Sequence, residues 1–272
     1  MHIAIVIPVY KPVMTADEKS SLRQCVTILG HYDTFLVCPQ GMDTTAYRQV
    51  LGSRYNELRF DTNYFDGIDG YNRLMTGCDF YDALADYDYV LLYQLDAWVF
   101  SDQLVAWCQK GYDYVGAPWF EDYKSYESGH QLWRVGNGGF SLRRIACFRQ
   151  LTSLGGYTKV KSCRQVFRDE YRSLKDLLRC MVRCCGPWIG TNSLRHIRKR
   201  GYWEDEFFCV VLHGTKYELR VPVPEEAAFF SFERSPCFLY NNVTKGQLPF
   251  GCHAWRKFDF DTFWSDKIVL EQ

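Results

Sequence analysis

Short apolar runs alternate with amphipathic stretches along the first half of the chain. The apolar runs predict strands at His2–Val9, Thr34–Cys38, Leu58–Phe60, Tyr89–Tyr93 and Tyr112–Ala117. The stretches between them predict helices at Ala16–Leu29, Thr44–Gly52, Gly70–Cys78 and Asp102–Gln109. Strands that alternate with helices form a mostly parallel sheet with helices on its faces. The pattern therefore predicts the α/β fold class.

The second half is less regular. A glycine-rich turn running into a strand is predicted over Val135–Leu142, and the other predicted elements are a long helix (Lys161–Arg183), a helix that begins with acids (Trp203–Leu212) and a short strand (Glu218–Pro224). The tail from Phe229 onward is aromatic and rich in loops. We interpret the chain as one domain, 1–272, with a basic helical insertion at about 157–200.

The helix predicted over Lys161–Arg183 carries a basic stripe. Its basic residues recur every three or four positions, at Lys161, Arg164, Arg168, Arg172, Lys175, Arg179 and Arg183. An adjacent apolar face holds Phe167, Tyr171, Leu174, Leu178 and Met181. Basic amphipathic helices of this kind suit anionic membrane surfaces. The alternative is an ordinary surface helix whose apolar face packs on the core.

Composition narrows the function classes. The chain is 47% hydrophobic and 17% aromatic, which supports a large core, and its net charge of +0 gives no indication of nucleic-acid binding. Its 12 cysteines are irregularly spaced and do not predict a zinc ribbon. We expect them to be reduced and mostly buried, as in a cytoplasmic protein. The start of the chain lacks a basic leader, and no apolar run approaches the roughly 20 residues that cross a bilayer. Any membrane contact is therefore expected to be peripheral, on the inner face.

The stretch YDYVLLYQLDAWVF places an acid, Asp96, directly after an apolar strand. Burying an unpaired carboxylate costs several kcal/mol, so packing alone gives no reason for this residue. Acids at the carboxyl end of a central strand often belong to a metal or phosphate site. The alternative is that Asp96 caps the following turn.

Seven motifs, in this order along most of the chain, carry a resemblance to known proteins: VIPVYK, GYNRLM, YQLDAWVF, YDYVGAPW, VGNGGFSLRR, EDEFF and PFGCHAW. The chain resembles the nucleotide-sugar-dependent glycosyltransferases of the GT-A fold. It looks most like an uncharacterised bacterial family of glycosyltransferase-like proteins from polysaccharide and O-antigen gene clusters. The resemblance implies a Rossmann-related, GT-A-like sheet.

The resemblance implies a divalent metal, Mn²⁺ or Mg²⁺, bound by a strand-end motif of two acids around one residue. Here the motif position reads Gln94-Leu95-Asp96, so Asp96 is the expected ligand and Gln94 replaces the first acid with an uncharged amide. His253, on a C-terminal loop, is the second expected ligand, and imidazole suits Mn²⁺ better than Mg²⁺. The alternative for His253 is a surface or stacking histidine.

An acidic cluster, Glu204, Asp205 and Glu206, opens a predicted helix. By resemblance to inverting GT-A enzymes, Asp205 is the expected general base and Glu204 the second choice. A base would take the proton of the acceptor hydroxyl as it attacks the anomeric carbon. The alternative is simple pairing of acids with the helix dipole.

Three further segments are expected to contact the donor. Glycines let the backbone approach a ligand closely, so the loop with Asn137, Gly138 and Gly139 is one. Asn72 and Arg73 open a helix where an arginine could grip a phosphate. The residues after the first strand, where this fold commonly holds the nucleobase, are Pro8, Val9 and Tyr10. The alternatives are a tight turn for the glycines and a solvated side chain for Arg73.

These observations predict a glycosyltransferase that moves a sugar from a nucleotide diphosphate to a hydroxyl of a glycan or lipid-linked glycan. One alternative is a sugar nucleotidyltransferase, but the loop PVYKPV lacks the glycines that such enzymes usually carry there. A second alternative is a catalytically degenerate sugar-binding module, which the amide at Gln94 motivates.

Overall fold

The structure is a computed structural model, and the residues it describes are 1–53, 55–121, 131–185, 192–195 and 201–270. Its strands are β1 (Ile3–Pro8), β2 (Asp33–Pro39), β3 (Tyr55–Phe60), β4 (Tyr89–Tyr93), β5 (Ala97–Val99), β6 (Tyr114–Val115), β7 (Ala117–Phe120), β8 (Leu132–Gly136), β9 (Phe140–Arg144), β10 (Ser231–Phe232) and β11 (Gly251–His253). Its α-helices are α1 (Ala16–Leu29), α2 (Thr45–Leu51), α3 (Gly67–Thr76), α4 (Cys78–Asp82), α5 (Leu104–Gln109), α6 (Ile145–Thr152), α7 (Cys163–Glu170), α8 (Leu174–Cys184), α9 (Glu204–Glu206), α10 (Pro224–Ala227) and α11 (Pro236–Phe238). Single 3₁₀ or π turns cover Thr62–Phe65, Phe207–Val211, Leu239–Val243 and Phe260–Trp264.

The central sheet has the strand order β3-β2-β1-β4-β9-β6 within the described residues. The first four strands run parallel, and β9 is antiparallel to both β4 and β6. This mostly parallel sheet confirms the predicted α/β fold class.

Helices cover both faces of the sheet, which explains why β1 and β4 are apolar at nearly every position. In β1, Ile5 and Ile7 pack with α1 and α5 on one face. Ala4 and Val6 pack with α3, α4 and α6 on the other. Strands that are buried on both faces are apolar at successive positions, instead of alternating apolar with polar residues.

A small second sheet, in the order β10-β11-β5, lies where the central strands end. β11 pairs in parallel with β10 and antiparallel with β5. Only Gln94, Leu95 and Asp96 separate β5 from the central strand β4. The sequence pattern predicts none of these strands, since each has two or three residues and is too short to show a period.

The prediction of one helix over Lys161–Arg183 is wrong. The chain forms α7 and α8 instead, and Tyr171 between them has an extended backbone. Ser173 starts α8 through a capping box with Asp176, so the second helix begins with its own N-terminal cap. The basic residues therefore do not share a single stripe.

The strand predicted at Glu218–Pro224 is absent from the described residues. The backbone N–H and C=O of Arg220 instead bond to the side chain and N–H of Asp113, and Pro224 starts α10. The predicted strand at Tyr112–Ala117 divides at Gly116 into β6 and β7, which belong to different sheets.

The helix predicted at Trp203–Leu212 is present as α9 followed by a π turn. Part of the predicted insertion at 157–200 lies outside the described residues, at 186–191 and 196–200. No helix in the described part of the chain is long and apolar enough to span a bilayer.

Candidate functional site

The small sheet brings together side chains that are far apart in the sequence. The register of β11 with β5 sets His253 opposite Ala97, next to Asp96. The register of β10 with β11 aligns Phe232 with Cys252, so Glu233 follows beside His253. The turn after β4 is closed by a hydrogen bond from the Ala97 N–H to the Gln94 carbonyl. Three chain segments thus meet at the carboxyl end of β4.

His253 is the centre of this cluster. Its Nε2 lies 3.1 Å from Asp96 Oδ1 and 3.2 Å from Gln94 Oε1. Its Nδ1 lies 3.3 Å from Glu233 Oε1. His253 is largely buried, whereas about half of the Asp96 side chain is exposed, so the cluster opens to solvent through Asp96.

The electrostatics of the cluster favour charge on both partners. Burial lowers the pKa of His253, but Asp96 and Glu233 outweigh this and raise the pKa to about 10. Partial burial raises the pKa of Asp96, and attraction to His253 reverses the shift, so its pKa lies below the ordinary value.

A divalent cation would have to displace the proton that Asp96 and Glu233 favour on His253, and the donor set would then fit such a cation. Octahedral ions bind each ligand at about 2.1 Å, which sets neighbouring ligands about 3 Å apart. Asp96 Oδ1 and Gln94 Oε1 have that separation from His253 Nε2. Glu233 contacts the other ring nitrogen, as outer carboxylates do for metal-bound histidines. No group of three or more His, Cys, Asp and Glu side chains suited to a metal occurs among the described residues, and here the third donor is an amide.

The loop before β9 is held by hydrogen bonds to two side chains, the amide of Asn137 in the loop itself and the carboxylate of Asp205. Asn137 has a left-handed backbone, with φ of 77°, and its Oδ1 accepts a hydrogen bond from the Gly139 N–H at 2.9 Å. The N–H groups of Asn137 and Gly138 both donate to Asp205 Oδ2, at 3.1 and 3.0 Å. The Asn137 Nδ2 is buried, and no described residue pairs with it.

The two following glycines are required by contacts with site side chains. A Cβ on Gly139 would lie 1.9 Å from His253 Nε2. A Cβ on Gly138 would lie 1.9 Å from Glu204 Oε1. The glycine backbone of this loop therefore lies against both the His253 cluster and the acidic cluster, and a side chain at either position would require Glu204 or His253 to move.

Glu204, the second choice for the base, forms a buried ion pair. Its Oε1 lies 2.7 Å from Arg143 Nη2, and both side chains are almost fully excluded from water. Arg143 also donates to Tyr81 Oη at 3.0 Å and to Ser141 Oγ at 3.1 Å. Burial lowers the pKa of Arg143, but the Glu204 carboxylate outweighs it and holds the pKa above the ordinary value. This ion pair indicates a structural role for Glu204.

Asp205 is buried at the start of α9 and has an unusual pKa. Burial and the neighbouring Glu204 carboxylate raise the pKa of Asp205 from 3.8 to about 7, although hydrogen bonds from Glu206 and Gly138 lower it in part. A carboxylate of such pKa is half protonated near neutrality and can exchange a proton there.

A pocket of about 530 Å³ opens beside Asp96 at the carboxyl ends of β1 and β4. Its walls carry Pro8, Val9, Tyr10, Tyr47, Tyr64, Ile68, Tyr71, Gln94 and Asp96. Tyr10 stands mostly exposed at the rim, and the hydroxyl of Tyr71 is buried. The residues predicted after the first strand thus share one pocket with Gln94 and Asp96.

Asn72 and Arg73 are not among the residues that line this pocket. They line a second cavity on the other side of α3, with Asp69. Asn72 Oδ1 accepts a hydrogen bond from the Glu204 N–H at 3.0 Å, and Arg73 donates to the Asn63 carbonyl at 2.6 Å. Helix α3 turns Ile68 and Tyr71 toward the first pocket instead.

Sequence reasoning missed Glu233 and Arg143, and it named Tyr71 only as part of the helix start with Asn72 and Arg73, without a role. Arg143 had no clear signal, since Phe140, Ser141, Leu142 and Arg143 alternate as in a strand with one solvent face, and only the structure shows that all four are buried. Glu233 had none, because it follows a two-residue strand in a loop-rich tail.

Comparisons with known proteins give a family and a set of similar structures. A family model described as "Protein of unknown function (DUF5672)" matches residues 54–253. No curated protein matches the chain.

Among solved structures, the galactosyltransferase LgtC with donor and acceptor sugar analogs is 11% identical, with a TM-score of 0.46, over 92% of this chain and 86% of its own. Core-mannan synthase A of Aspergillus fumigatus, in its Mn/GDP form, is 11% identical, with a TM-score of 0.39, over 75% of this chain and 71% of its own. The glycosyltransferase GlyE of Streptococcus pneumoniae is 12% identical, with a TM-score of 0.45, over 93% of this chain and 54% of its own. Similarities this weak carry no argument about activity.

We predict that Glu204→Ala destabilises the protein by about 3–5 kcal/mol, because Arg143 would keep a buried charge without a counter-ion. Asp82→Ala is the matched control, since Asp82 and Arg149 form an ion pair of the same 2.7 Å length with both side chains about half exposed. Its loss should cost less than about 1 kcal/mol. Urea unfolding of both variants measures the difference, and equal losses would contradict the structural role of Glu204.

The pKa of Asp205 predicts a pH dependence of stability. An unfolded chain releases this proton near 3.8, whereas the folded protein keeps it until about 7. The contribution of Asp205 to the free energy of unfolding is therefore full below pH 3.8 and is lost as pH rises through 7. Urea unfolding from about pH 5 to about pH 8 should show wild type losing more stability than Asp205→Asn. Parallel profiles would contradict the raised pKa.

Proposed function

The chain belongs to the DUF5672 family, whose description names no activity, and we propose that it transfers a sugar from a nucleoside-diphosphate donor to a hydroxyl of a glycan acceptor. The observation that carries this proposal is the convergence of Asp96 and Gln94 on His253 at the mouth of the 530 Å³ pocket. Ligands of open α/β sheets bind outside the carboxyl ends of the strands, where this pocket lies.

The pocket suits the nucleoside part of such a donor. Its volume is within the range of about 300–1,000 Å³ that small-molecule sites occupy. Four tyrosines line it, at Tyr10, Tyr47, Tyr64 and Tyr71. Flat aromatic faces and hydroxyl groups together can stack on a base and hydrogen-bond to a ribose. Tyr10 at the rim is our choice for stacking, and Gln94 for the ribose or the diphosphate.

Asp96, His253 and Gln94 would hold a divalent cation next to the diphosphate. When bound, such a cation would stabilise the charge that develops on the leaving nucleoside diphosphate. A set of one carboxylate, one amide oxygen and one imidazole favours Mn²⁺ over Mg²⁺. Glu233 is proposed as a positioning residue, because its contact with Nδ1 would hold the ring with Nε2 toward the cation.

Asp205 is our candidate for the general base of an inverting reaction. Its carboxylate would take the proton of the acceptor hydroxyl as that oxygen attacks the anomeric carbon from the face opposite the diphosphate. The most effective bases have a pKa near the working pH, and the raised pKa of Asp205, about 7, meets this condition. Glu204 is bound to Arg143 and is not proposed as a base.

The acceptor class we propose is a bacterial glycan, free or lipid-linked, and the compartment is the cytoplasm. All 12 cysteines are free, although only half of them are buried, and a reducing compartment keeps exposed thiols such as Cys163 and Cys237 in that form.

We predict that Asp205→Asn retains the fold and donor binding but lowers transfer by roughly 10²-fold or more, the scale of losing a general base. Release of UDP or GDP from a panel of nucleotide sugars with glycan acceptors measures transfer, and thermal shift with the same nucleotide sugars measures donor binding. Asp82→Asn, at an exposed surface position, is the control. Near-normal turnover in folded Asp205→Asn would remove Asp205 from the mechanism.

We predict that Asp96→Ala and His253→Ala each abolish Mn²⁺ binding at micromolar concentrations, and that Glu233→Gln weakens it by about 10–100-fold. Titration calorimetry with Mn²⁺ alone measures affinity without relying on activity. Glu225→Gln, an exposed glutamate a few residues earlier, is the control. If the three site variants show the same Mn²⁺ titration as wild type and the control, and activity survives EDTA, the reaction uses no metal.

A further inference from the structure

Helix α8 turns its apolar side toward solvent. Leu174, Leu178 and Met181 are 80%, 72% and 53% exposed. Spacings of four and three residues set them on one face of the helix. Leu177 and Val182 border this row and are also more than one third exposed. We call these five residues the apolar row. Surface helices normally direct such a face to the core.

The outward orientation is held by polar contacts on the other side of α8. Cys180 is the fully buried residue of the helix. Arg183 forms an ion pair of 3.2 Å with Glu170 at the end of α7, and both side chains are mostly buried. Arg179 donates to the Glu170 carbonyl at 3.2 Å. The helix is thus fastened to α7 through charged groups, with the apolar row left outside.

One edge of the apolar row is basic. Lys175 and Arg179 are both exposed and lie on the side of the helix next to Val182 and Leu178. Lys175 forms no ion pair within the described residues, and Arg179 pairs with Asp176. Residues 161–185 contain seven basic and three acidic residues, although the whole chain has a net charge of +0. Positive charge is therefore concentrated in the segment that exposes the apolar row.

We propose that α8 is a membrane-docking helix that lies in the interface of an anionic bilayer, with the apolar row among the acyl chains. Lys175 and Arg179 have long apolar stems, so their charged ends reach the head groups while the stems lie along the acyl boundary. A narrow apolar face with a basic border is the pattern of helices that lie on membranes.

Two other occupants fit less well. Lysine is depleted from protein–protein interfaces, whereas Lys175 lies directly beside the row. A second copy of this chain that packed its own α8 on this one would bring the same positive segment against it. The inference needs nothing from the proposed chemistry, because the surface would bind lipid whatever reaction the pocket supports.

Cosedimentation with vesicles tests the proposal. Vesicles of phosphatidylcholine with about 30% phosphatidylglycerol should bind the full chain, and pure phosphatidylcholine vesicles should bind it more weakly. Leu178→Gln/Met181→Gln should lower the partition coefficient at least about ten-fold, since two apolar side chains leave the acyl region. Lys175→Gln/Arg179→Gln should lower it by up to roughly five-fold per charge, most strongly at low salt.

Val223→Gln/Val269→Gln is the matched control, because these valines are 61% and 80% exposed and lie outside α8. It should bind like wild type. Hydrogen exchange should also show protection of Leu174–Cys184 when anionic vesicles are added. Far-ultraviolet dichroism establishes that each variant is folded.

Three results would overturn the proposal. The first is that wild type does not pellet with anionic vesicles at low salt. The second is that both α8 variants pellet like wild type. The third is a wild-type dimer by light scattering that Leu178→Gln/Met181→Gln converts to a monomer without any change in vesicle binding, which would assign the apolar row to a second copy.

Discussion

The buried ion pair between Arg143 and Glu204 is the interaction on which the site depends. Burying either charge without the other would cost several kcal/mol, so β9 and α9 must be in contact in the folded protein. That meeting places Asp205, the next residue, under the glycine loop, where it accepts two backbone N–H groups. The loop in turn lies against His253, so an error at the ion pair would propagate to the opposite side of the site.

The small sheet, β10-β11-β5, positions the His253 cluster. Its two ladders set Glu233, His253 and the turn holding Asp96 side by side, although Asp96 and Glu233 are 137 positions apart in the sequence. Short strands can do this because the central sheet holds β4 rigidly and β5 follows it after three residues. A rigid scaffold with the reactive groups on its connecting turns is a common plan for functional sites.

Charged residues are unevenly distributed over the fold, which the net charge does not show. The chain as a whole is neutral, yet the site gathers carboxylates around one imidazole and the α7–α8 region gathers arginines and lysines. These two features lie on separate elements, so the proposed donor chemistry and the proposed membrane docking can be tested independently. The exposed apolar row, which is basic along one edge, takes no part in the core clusters of the described residues, which involve other elements.

The sequence by itself determined the sheet class and the strands β1, β2 and β4, because apolar runs are local signals. It also singled out Asp96 as a candidate site residue, because an acid directly after an apolar strand is a local signal too. It also marked Asp205 and His253, through motif resemblance. Tertiary structure alone decided that Glu204 is held by Arg143, that Glu233 reaches His253, and that Asn72 and Arg73 face a second cavity. Those contacts depend on strand register and helix rotation, which residues distant in the chain fix. The periodicity of Lys161–Arg183 likewise predicted an apolar and a basic face. It did not predict that the helix breaks near Tyr171, or which face is exposed to solvent, because both depend on contacts with the rest of the fold.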